Sequence, residues 1–272
     1  MSRPRRYHFV SGLPRSGSTL LSALLAQNPR LHAHMTSPVA GLLETLLTEM
    51  SAKNEFSVFL TDDKRQRILK SVLESYYADT QADVILDTNR AWCARLPLLS
   101  TLWPESRVIA CVRDVGAIMN SVEHLVRQNA LQPSSIFHYQ SGGTVYTRVN
   151  GLAGPDGLVG YAYDALKEAF YGTEASRLLL VRYESLARSP EVVLQGIYEF
   201  LEEPAYAHDT TCVQFEAEAF DSKAGTPGLH TIRPVVALEK RANHLPPDLI
   251  ARFAHDAFWQ DPRANPHGVR VL

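Results

Sequence analysis

Residues 7–21 have the sequence YHFVSGLPRSGSTLL, in which a short apolar run leads through a glycine loop into a helix pattern. Gly12 and Gly17, followed by Ser18 and Thr19, match the spacing of the phosphate-binding loop GxxxxGK[ST]. Ser18 occupies the position of the lysine that grips the β- and γ-phosphates of a nucleoside triphosphate. The loop amides at a helix N-terminus still form an anion cradle. This stretch therefore predicts a bound phosphate and disfavours Mg·ATP.

A cation reappears inside the same loop. Arg15 stands three residues before Ser18 and can make charge-assisted hydrogen bonds to an anion. This arrangement suits one phosphate with an attached anionic group rather than a triphosphate with magnesium. The alternative is a chance glycine turn, which the position between a strand and a helix disfavours.

Strand-length apolar runs alternate with helical patterns along the chain. The runs cover residues 8–11, 84–87, 107–112 and 178–182. Helical patterns cover residues 19–27, 38–50, 62–77, 94–102, 115–127, 161–172, 190–201 and 246–259. This order predicts an α/β fold, a P-loop-like parallel β-sheet with helices on both faces, in a single domain over residues 1–272. Ligands of such sheets lie beyond the carboxyl ends of the strands.

Composition and charge limit the other possibilities. The chain of 272 residues is 45% hydrophobic with a net charge of -2, which argues against a nucleic-acid or anionic-membrane partner. Its three cysteines include no CxxC pair, so neither a disulfide framework nor a metal site is expected. The basic start lacks an apolar region behind it, and no run approaches the roughly 18 apolar residues of a membrane helix. We expect a cytoplasmic protein.

Residues 141–160 differ from the rest of the chain. They contain six of the 15 glycines and little periodicity. Irregular segments of this length are functional loops or disordered regions. The segment therefore predicts either a mobile loop on the acceptor side of a binding site or plain disorder.

A second anion-binding pattern follows the strand at residues 107–112. Arg113 ends this strand, Asp114 is a predicted helix N-cap, and Ser121 stands eight residues after Arg113. Seven residues from Asp114 to Ser121 are close to two helical turns, so Ser121 lies on the same side as Arg113. Arg113 could instead pair with a carboxylate. Two anion sites on one crevice indicate a nucleotide phosphorylated at both its 3′ and 5′ ends.

These two motifs resemble those of sulfotransferases that use 3′-phosphoadenosine-5′-phosphosulfate (PAPS). The loop with arginine at position 15 is similar to that of tyrosylprotein sulfotransferases and their bacterial relatives. The resemblance implies transfer of a sulfuryl group to an acceptor hydroxyl, with PAPS as co-substrate, 3′-phosphoadenosine-5′-phosphate (PAP) as product and no metal. The acceptor would be a small molecule or a peptide, and a tyrosyl or other phenol is favoured.

The resemblance also assigns roles to residues. Arg15 would contact the phosphosulfate bridge, and Arg113 with Ser121 would grip the 3′-phosphate. Four residues of the glycine loop would hold the 5′-phosphate: Ser16, Gly17, Ser18 and Thr19. Two weaker matches are Tyr183, expected near the nucleotide, and a late loop with Lys223 and Gly225, expected over the 3′-phosphate. A structural tyrosine and an ordinary turn are their alternatives.

The general base is harder to assign. Tyrosylprotein enzymes carry a glutamate where ungapped counting places Thr36, so this chain departs from their pattern. His32 and His34 are nearby candidates, because histidine is the commonest base near neutral pH. After the strand at residues 84–87, Arg90 could stabilise the transferring group and Asn89 could orient it. Alternatively, Asp87 and Asn89 only cap a turn.

Three functions remain open at this point. A PAPS-dependent sulfotransferase is the leading hypothesis. A P-loop kinase or NTPase, and a non-catalytic nucleotide binder with the same fold, are the alternatives. Neither the acceptor nor the oligomeric state, a dimer included, can be inferred from the sequence.

Overall fold

The fold is built on one parallel sheet. The structure, a computed structural model, describes residues 5–51, 55–131, 143–238 and 242–272. Its strands are β1 (Arg6–Gly12), β2 (Leu31–Ala33), β3 (Val84–Thr88), β4 (Val108–Val112), β5 (Leu178–Arg182) and β6 (Arg270–Val271). Their order across the sheet is β2-β3-β1-β4-β5-β6, and every neighbouring pair is parallel.

Helices connect and cover these strands. They are α1 (Ser18–Leu25), α2 (Val39–Glu49), α3 (Asp62–Tyr76), α4 (Leu96–Leu102), α5 (Val115–Gln128), α6 (Val145–Ala153), α7 (Leu158–Tyr171), α8 (Tyr183–Arg188), α9 (Pro190–Leu201), α10 (Glu218–Lys223) and α11 (Pro247–Arg252). Within the described residues, none of them is long and apolar enough to span a bilayer.

Both faces of the sheet are buried under helices. In β4, Val108, Ala110 and Val112 pack into a core with α2 to α7, whereas Ile109 and Cys111 pack against α1 and α9 on the other face. Successive side chains of a strand point to opposite faces, so a strand covered on both sides must be apolar throughout. This requirement produces the continuous apolar runs of the sequence and confirms the predicted α/β class.

The two shortest strands were not predicted from the sequence. β2 has three residues and β6 has two, too few to show a periodic pattern. The helix predicted over residues 246–259 is wrong beyond Arg252, where α11 ends. Phe253 and Trp259 are both buried, and the chain between them turns so that each reaches the core. In this segment, the burial of Phe253 and Trp259 at separate places in the core outweighs the helical pattern of the sequence.

The irregular structure predicted for residues 141–160 is also wrong for most of that segment. Residues 141 and 142 lie outside the described residues, but α6 and the start of α7 occupy most of the rest. The Thr144 side chain caps α6 by accepting a hydrogen bond from Thr147 N. Arg148 of α6 forms an ion pair at 2.8 Å with Glu123, a buried residue of α5. Gly154 and Gly157 lie between the two helices, whereas Gly151 and Gly160 lie within them, an arrangement that local periodicity does not show.

A buried histidine makes the fold sensitive to acid. His8 of β1 is 3% exposed, and its Nδ1 accepts a hydrogen bond from Arg107 N at 3.2 Å. Desolvation, with smaller contributions from the charges of Arg6 and Arg107, lowers the pKa of His8 to about 3. The neutral ring is therefore the form that the folded protein tolerates.

This histidine predicts a measurable pH dependence of stability. Because its folded-state pKa lies below the unfolded value, the unfolded chain binds the extra proton and the free energy of unfolding decreases as the pH falls from about 6.5 to about 3. His8→Asn, whose side chain can still accept from Arg107 N, should reduce that slope by up to about 1.4 kcal/mol per pH unit. Urea denaturation at several pH values between pH 7 and pH 4 measures the slope of the free energy of unfolding against pH. Equal slopes in the wild type and the variant contradict the assignment, and exposed His255→Asn is the control.

Candidate active site

A cleft lies at the carboxyl edge of the sheet, where β1, β3, β4 and β5 end. Arg15 follows β1, Arg90 follows β3, Arg113 follows β4 and Tyr183 follows β5, and all four side chains line this cleft. The rule that ligands bind beyond the carboxyl ends of parallel strands predicts this location.

The loop after β1 is held tightly against β4. Leu13 N donates to the Cys111 carbonyl oxygen at 2.9 Å, and the Ser16 hydroxyl donates to the same oxygen at 2.9 Å. Gly12 has φ +109°, and an added Cβ would lie 2.1 Å from that oxygen. Glycine is therefore required for the loop to approach β4. The Ser16 side chain is buried in this contact and does not line the cleft.

The N-terminus of α1 faces the cleft without a capping side chain from the described residues. Its N-cap is Gly17 at φ +94°, and the first turn contains no acidic residue. The first amides of a helix have no intrahelical partner and carry a positive partial charge. Ser18 and Thr19 line the cleft at this point. The geometry is that of an anion cradle.

Arg15 joins the two anion-binding motifs. Its Nε donates to the Ser121 hydroxyl at 3.2 Å, and its carbonyl oxygen accepts from Arg113 Nη1 at 3.2 Å. Its backbone has φ +58°, a left-handed conformation that costs a non-glycine residue about 1–3 kcal/mol. Strain of this kind is typical of ligand-binding loops. The two motifs thus form one continuous site.

Arg113 is stacked on Tyr183. The guanidinium carbon lies 4.3 Å from the centre of the tyrosine ring, and a Cβ at Gly17 would lie 2.9 Å from the same ring. Tyr183 therefore positions both the second arginine and the start of α1. Asp114 caps α5 as predicted, because its side chain accepts from Ala117 N at 2.7 Å. Ser121 is 2% exposed and contacts Arg15 rather than the open cleft.

The turn after β3 positions Arg90. Its carbonyl oxygen accepts from the Ser11 hydroxyl at 3.0 Å, which attaches the turn to β1. Asn89 lines the cleft, but both polar atoms of its side-chain amide form hydrogen bonds with the backbone. Its Oδ1 accepts from Ala91 N, and its Nδ2 donates to the Ser37 carbonyl oxygen. Asp87 is fully buried and accepts from the Tyr77 hydroxyl at 2.6 Å. These contacts agree with the interpretation that Asp87 and Asn89 support the turn.

The two histidines predicted as base candidates lie away from this cleft. His34 is exposed, with its ring 5.6 Å from that of Phe215. His32 packs at 5.2 Å against the ring of Tyr77, and burial lowers its pKa. Thr36, at the position expected for a glutamate, does line the cleft.

The late loop contributes differently from the prediction. Lys223 is exposed and, like Gly225, does not line the cleft. Residues 229–233 and 235–237 line it instead. Apolar side chains from both sides of the loop, those of Phe220, Ile232, Val235 and Val236, give one wall of the cleft an apolar surface. A role for Lys223 and Gly225 at the nucleotide stays a prediction.

A histidine that the sequence analysis missed lines the same wall. His230 Nδ1 lies 2.6 Å from Asp221 Oδ1, and His230 N donates to Asp221 Oδ2 at 2.8 Å. Asp221 is 2% exposed. The eight residues between them fold into a turn, whose backbone closes with Thr226 N donating to the Asp221 carbonyl oxygen. No local pattern in the sequence signals such a pair.

The cleft is strongly electropositive. Four arginines, Arg15, Arg90, Arg113 and Arg233, line it, and no described lining residue is acidic. Desolvation lowers the pKa of Arg90, yet a guanidinium remains charged in proteins. A cleft of this charge with a helix N-terminus favours multiply charged anions such as phosphate esters.

Comparison with known proteins gives one family match and several similar proteins. The sulfotransferase family profile matches residues 8–208. Protein-tyrosine sulfotransferase 2 of Gallus gallus is 23% identical over 95% of this chain and 70% of its own length. Protein-tyrosine sulfotransferase of Drosophila melanogaster is also 23% identical over 95% of this chain, which spans only 52% of the fly protein. The sulfotransferase domain from the curacin biosynthetic pathway superposes with a TM-score of 0.48 at 18% identity over 76% of each chain.

The close approach of the loop to β4 predicts the effect of one methyl group. Gly12→Ala should lower the free energy of unfolding by at least about 2 kcal/mol, because the side chain meets the Cys111 carbonyl and the backbone is left-handed. Gly41→Ala, in α2, is the matched control, because a Cβ there meets no described atom within 4 Å. That change should raise stability by about 0.5–1 kcal/mol. Urea denaturation of both variants checks this pair, and a tolerated Gly12→Ala contradicts the loop geometry.

Proposed function

Since the chain belongs to the sulfotransferase family, we propose that it transfers a sulfuryl group from PAPS to the hydroxyl of a phenolic or otherwise apolar acceptor. The observation that carries this proposal is the double contact of Arg15. It joins the glycine loop to Arg113 and Ser121, so that two anion sites share one cleft. PAPS carries a phosphosulfate at its 5′ end and a phosphate at its 3′ end, and this cleft fits both.

The glycine loop is the proposed site of the 5′-phosphosulfate. The amides at the start of α1, with the hydroxyls of Ser18 and Thr19, face the cleft and can donate to phosphate oxygens. Arg15 is close enough to add a positive charge at the bridge between phosphate and sulfate. A lysine that would hold a γ-phosphate is absent from the loop. The residues present therefore suit a phosphosulfate better than a triphosphate.

Arg113 and Ser121 form the proposed site of the 3′-phosphate. The stacking of Arg113 on Tyr183 fixes its guanidinium, which lowers the entropy lost when a phosphate binds. The Ser121 hydroxyl now accepts from Arg15 Nε. A phosphate bound there would take the place of Arg15 as the partner of the Ser121 hydroxyl. Arg15 would then be free to turn towards the transferring group.

The arginines supply the charge stabilisation that the reaction needs. Sulfuryl transfer requires in-line positioning of the acceptor and neutralisation of the departing phosphate. Arg15 lies next to the phosphate cradle, and Arg90 lines the same cleft. Arg15 Nε donates to the Ser121 hydroxyl of α5, and the backbone of Arg90 is attached to β1 through its carbonyl oxygen, so both residues are anchored beside the cleft.

The apolar wall indicates the acceptor. Phe220 is 42% exposed and Val235 is 56% exposed, and both line the cleft beside Ile232. Exposed apolar side chains at a binding cleft favour an aromatic or aliphatic group on the ligand. The two relatives from chicken and fly are protein-tyrosine sulfotransferases. Together these features support a tyrosyl phenol on a peptide or a small phenol as acceptor.

The cytoplasm is the compartment we propose. All three cysteines, Cys93, Cys111 and Cys212, are free thiols, and Cys212 is exposed. Exposed thiols persist in reducing compartments. Export of the native chain from an expressing cell would contradict this part of the proposal.

A transfer assay tests the function. With labelled PAPS and a panel of a tyrosyl peptide, simple phenols, a sugar and an aliphatic alcohol, we expect label on the phenolic acceptors and release of PAP. Hydrolysis of Mg·ATP without sulfuryl transfer would support the kinase or NTPase alternative. Binding of PAP without transfer to any acceptor would support the non-catalytic alternative.

Arg15→Ala should abolish most of the transfer activity. Loss of one preorganised charge at the departing phosphate is expected to lower kcat about 10²–10³-fold, as removal of one oxyanion donor does. PAP affinity should change much less than kcat. Exposed Arg67→Ala on α3 is the matched control and should leave the rate unchanged. An Arg15→Ala rate within a factor of three of the wild type rules out the proposed role.

Arg113→Ala should weaken binding of the 3′-phosphate selectively. A hydrogen bond to a charged group contributes about 1.5–3 kcal/mol, so the Kd of PAP should rise about 10–100-fold. Adenosine 5′-phosphosulfate, which lacks the 3′-phosphate, should bind the wild type and the variant with similar affinity. Calorimetry with both ligands measures the difference. An equal loss for both ligands would show that Arg113 does not recognise the 3′-phosphate.

A further inference from the structure

The reaction needs a group that removes the acceptor proton, and neither histidine predicted from the sequence lines the cleft. We propose that His230 is this general base and that Asp221 is the residue that positions it. The proposal rests on the proposed sulfuryl transfer and names a residue for it. It starts from three observations: the position of His230 in the cleft, its short contact with Asp221, and the burial of that carboxylate.

Asp221 fixes the tautomer of His230. A carboxylate only accepts hydrogen bonds, so the 2.6 Å contact requires the proton on Nδ1. The lone pair is then on Nε2, on the opposite side of the ring. The second carboxylate oxygen accepts from His230 N at 2.8 Å, which fixes the backbone beside the ring. A ring held in one tautomer and one orientation is what general-base catalysis requires.

The neighbours of His230 keep the ring neutral. Burial has the largest effect and lowers its pKa, the charges of Arg15 and Arg90 lower it further, and Asp221 partly offsets them. Arg15 comes from the loop after β1, Arg90 from the turn after β3 and Asp221 from α10. A neutral imidazole next to the proposed sulfuryl position can accept a proton at neutral pH.

The surroundings also suit an acceptor hydroxyl. The ring of Phe220 lies 5.4 Å from the ring of His230 in an edge-on arrangement, and Ile232 continues the apolar wall. A phenol that packs on this wall brings its hydroxyl towards the histidine and the arginines. His230 thus belongs to the apolar wall and lies close enough to Arg15 and Arg90 to feel their charges.

The proposed step is balanced as follows. His230 Nε2 takes the proton of the acceptor hydroxyl as the acceptor oxygen forms its bond to sulfur. The bond from sulfur to the bridging oxygen breaks, and its electron pair leaves with the 5′-phosphate of PAP, next to Arg15. The imidazolium, paired with Asp221, then loses its proton to water.

The first test uses acceptors of graded acidity. His230→Gln should lower kcat about 10²–10⁴-fold for a phenol of ordinary acidity, the usual contribution of a general base. The loss should shrink to less than about tenfold for a nitrophenol that is already ionised at the assay pH, because no proton then needs to be removed. Exposed His255→Gln is the matched control and should not change either rate.

The second test uses Asp221→Asn and does not depend on activity alone. Long-range ¹H–¹⁵N NMR of the wild type should show His230 as the Nδ1–H tautomer, assigned by its loss in His230→Gln. Asp221 raises the pKa of His230, so Asp221→Asn should lower that pKa. The acidic limb of the kcat/KM pH profile should move to lower pH with it, an effect that a merely structural role would not produce.

The outcomes separate this proposal from the function it rests on. If the wild type binds PAP and transfers the sulfuryl group, but His230→Gln loses equal activity for weakly and strongly acidic phenols, His230 is not the base and the function stands. An Nε2–H tautomer in the wild type would also overturn the proposal. If the wild type transfers nothing, the proposed function itself fails. Should His230→Gln be unstable, the tautomer and the pH profile of the wild type and of Asp221→Asn decide.

Discussion

Arg15 is the residue on which the cleft depends. Its carbonyl oxygen accepts from Arg113, and its guanidinium donates to the hydroxyl of Ser121, so one residue connects the ends of β1 and β4. A left-handed backbone at Arg15 makes both contacts available at once. The strain is tolerated because the loop around it is fixed by hydrogen bonds to the Cys111 carbonyl. Catalytic sites commonly hold such strain where a ligand must be gripped.

The concentration of positive charge in the cleft explains the remaining features. Arg15, Arg90 and Arg113 bring three positive charges to the ends of three strands, and none of the described residues that line the cleft is acidic. A multiply charged nucleotide would match this charge. The same charges favour a neutral base over a protonated one, and Asp221 is buried behind His230, where it orients the ring without neutralising the cleft. The positive charge of the cleft is therefore linked to the protonation state of His230, the proposed base.

Much of the fold could be predicted from the sequence, and so could the meeting of Arg15, Arg113 and Tyr183 in one cleft. Apolar runs identify strands buried on both faces, and the loop at residues 12–19 has a spacing that backbone geometry dictates. Asp114 is a cap because its position before an amphipathic helix requires one. His230 could not be found in this way, because its proposed role depends on a contact with Asp221 that exists only after the turn between them has folded. His34 had the right chemistry, but its side chain points away from the cleft. Residues 145–153 form a helix through long-range contacts such as that of Arg148 with Glu123.

The most direct test of the central claim, one cleft with two anion sites, is a calorimetric comparison of three nucleotides on the wild-type protein. We expect PAP to bind at least about tenfold more tightly than adenosine 5′-phosphate, because a hydrogen-bonded charge pair at the 3′-phosphate contributes about 1.5–3 kcal/mol. Mg·ATP should bind more weakly than PAP, since the loop has no lysine for a γ-phosphate. Equal affinities for PAP and adenosine 5′-phosphate, or a preference for Mg·ATP, would contradict the two-anion cleft.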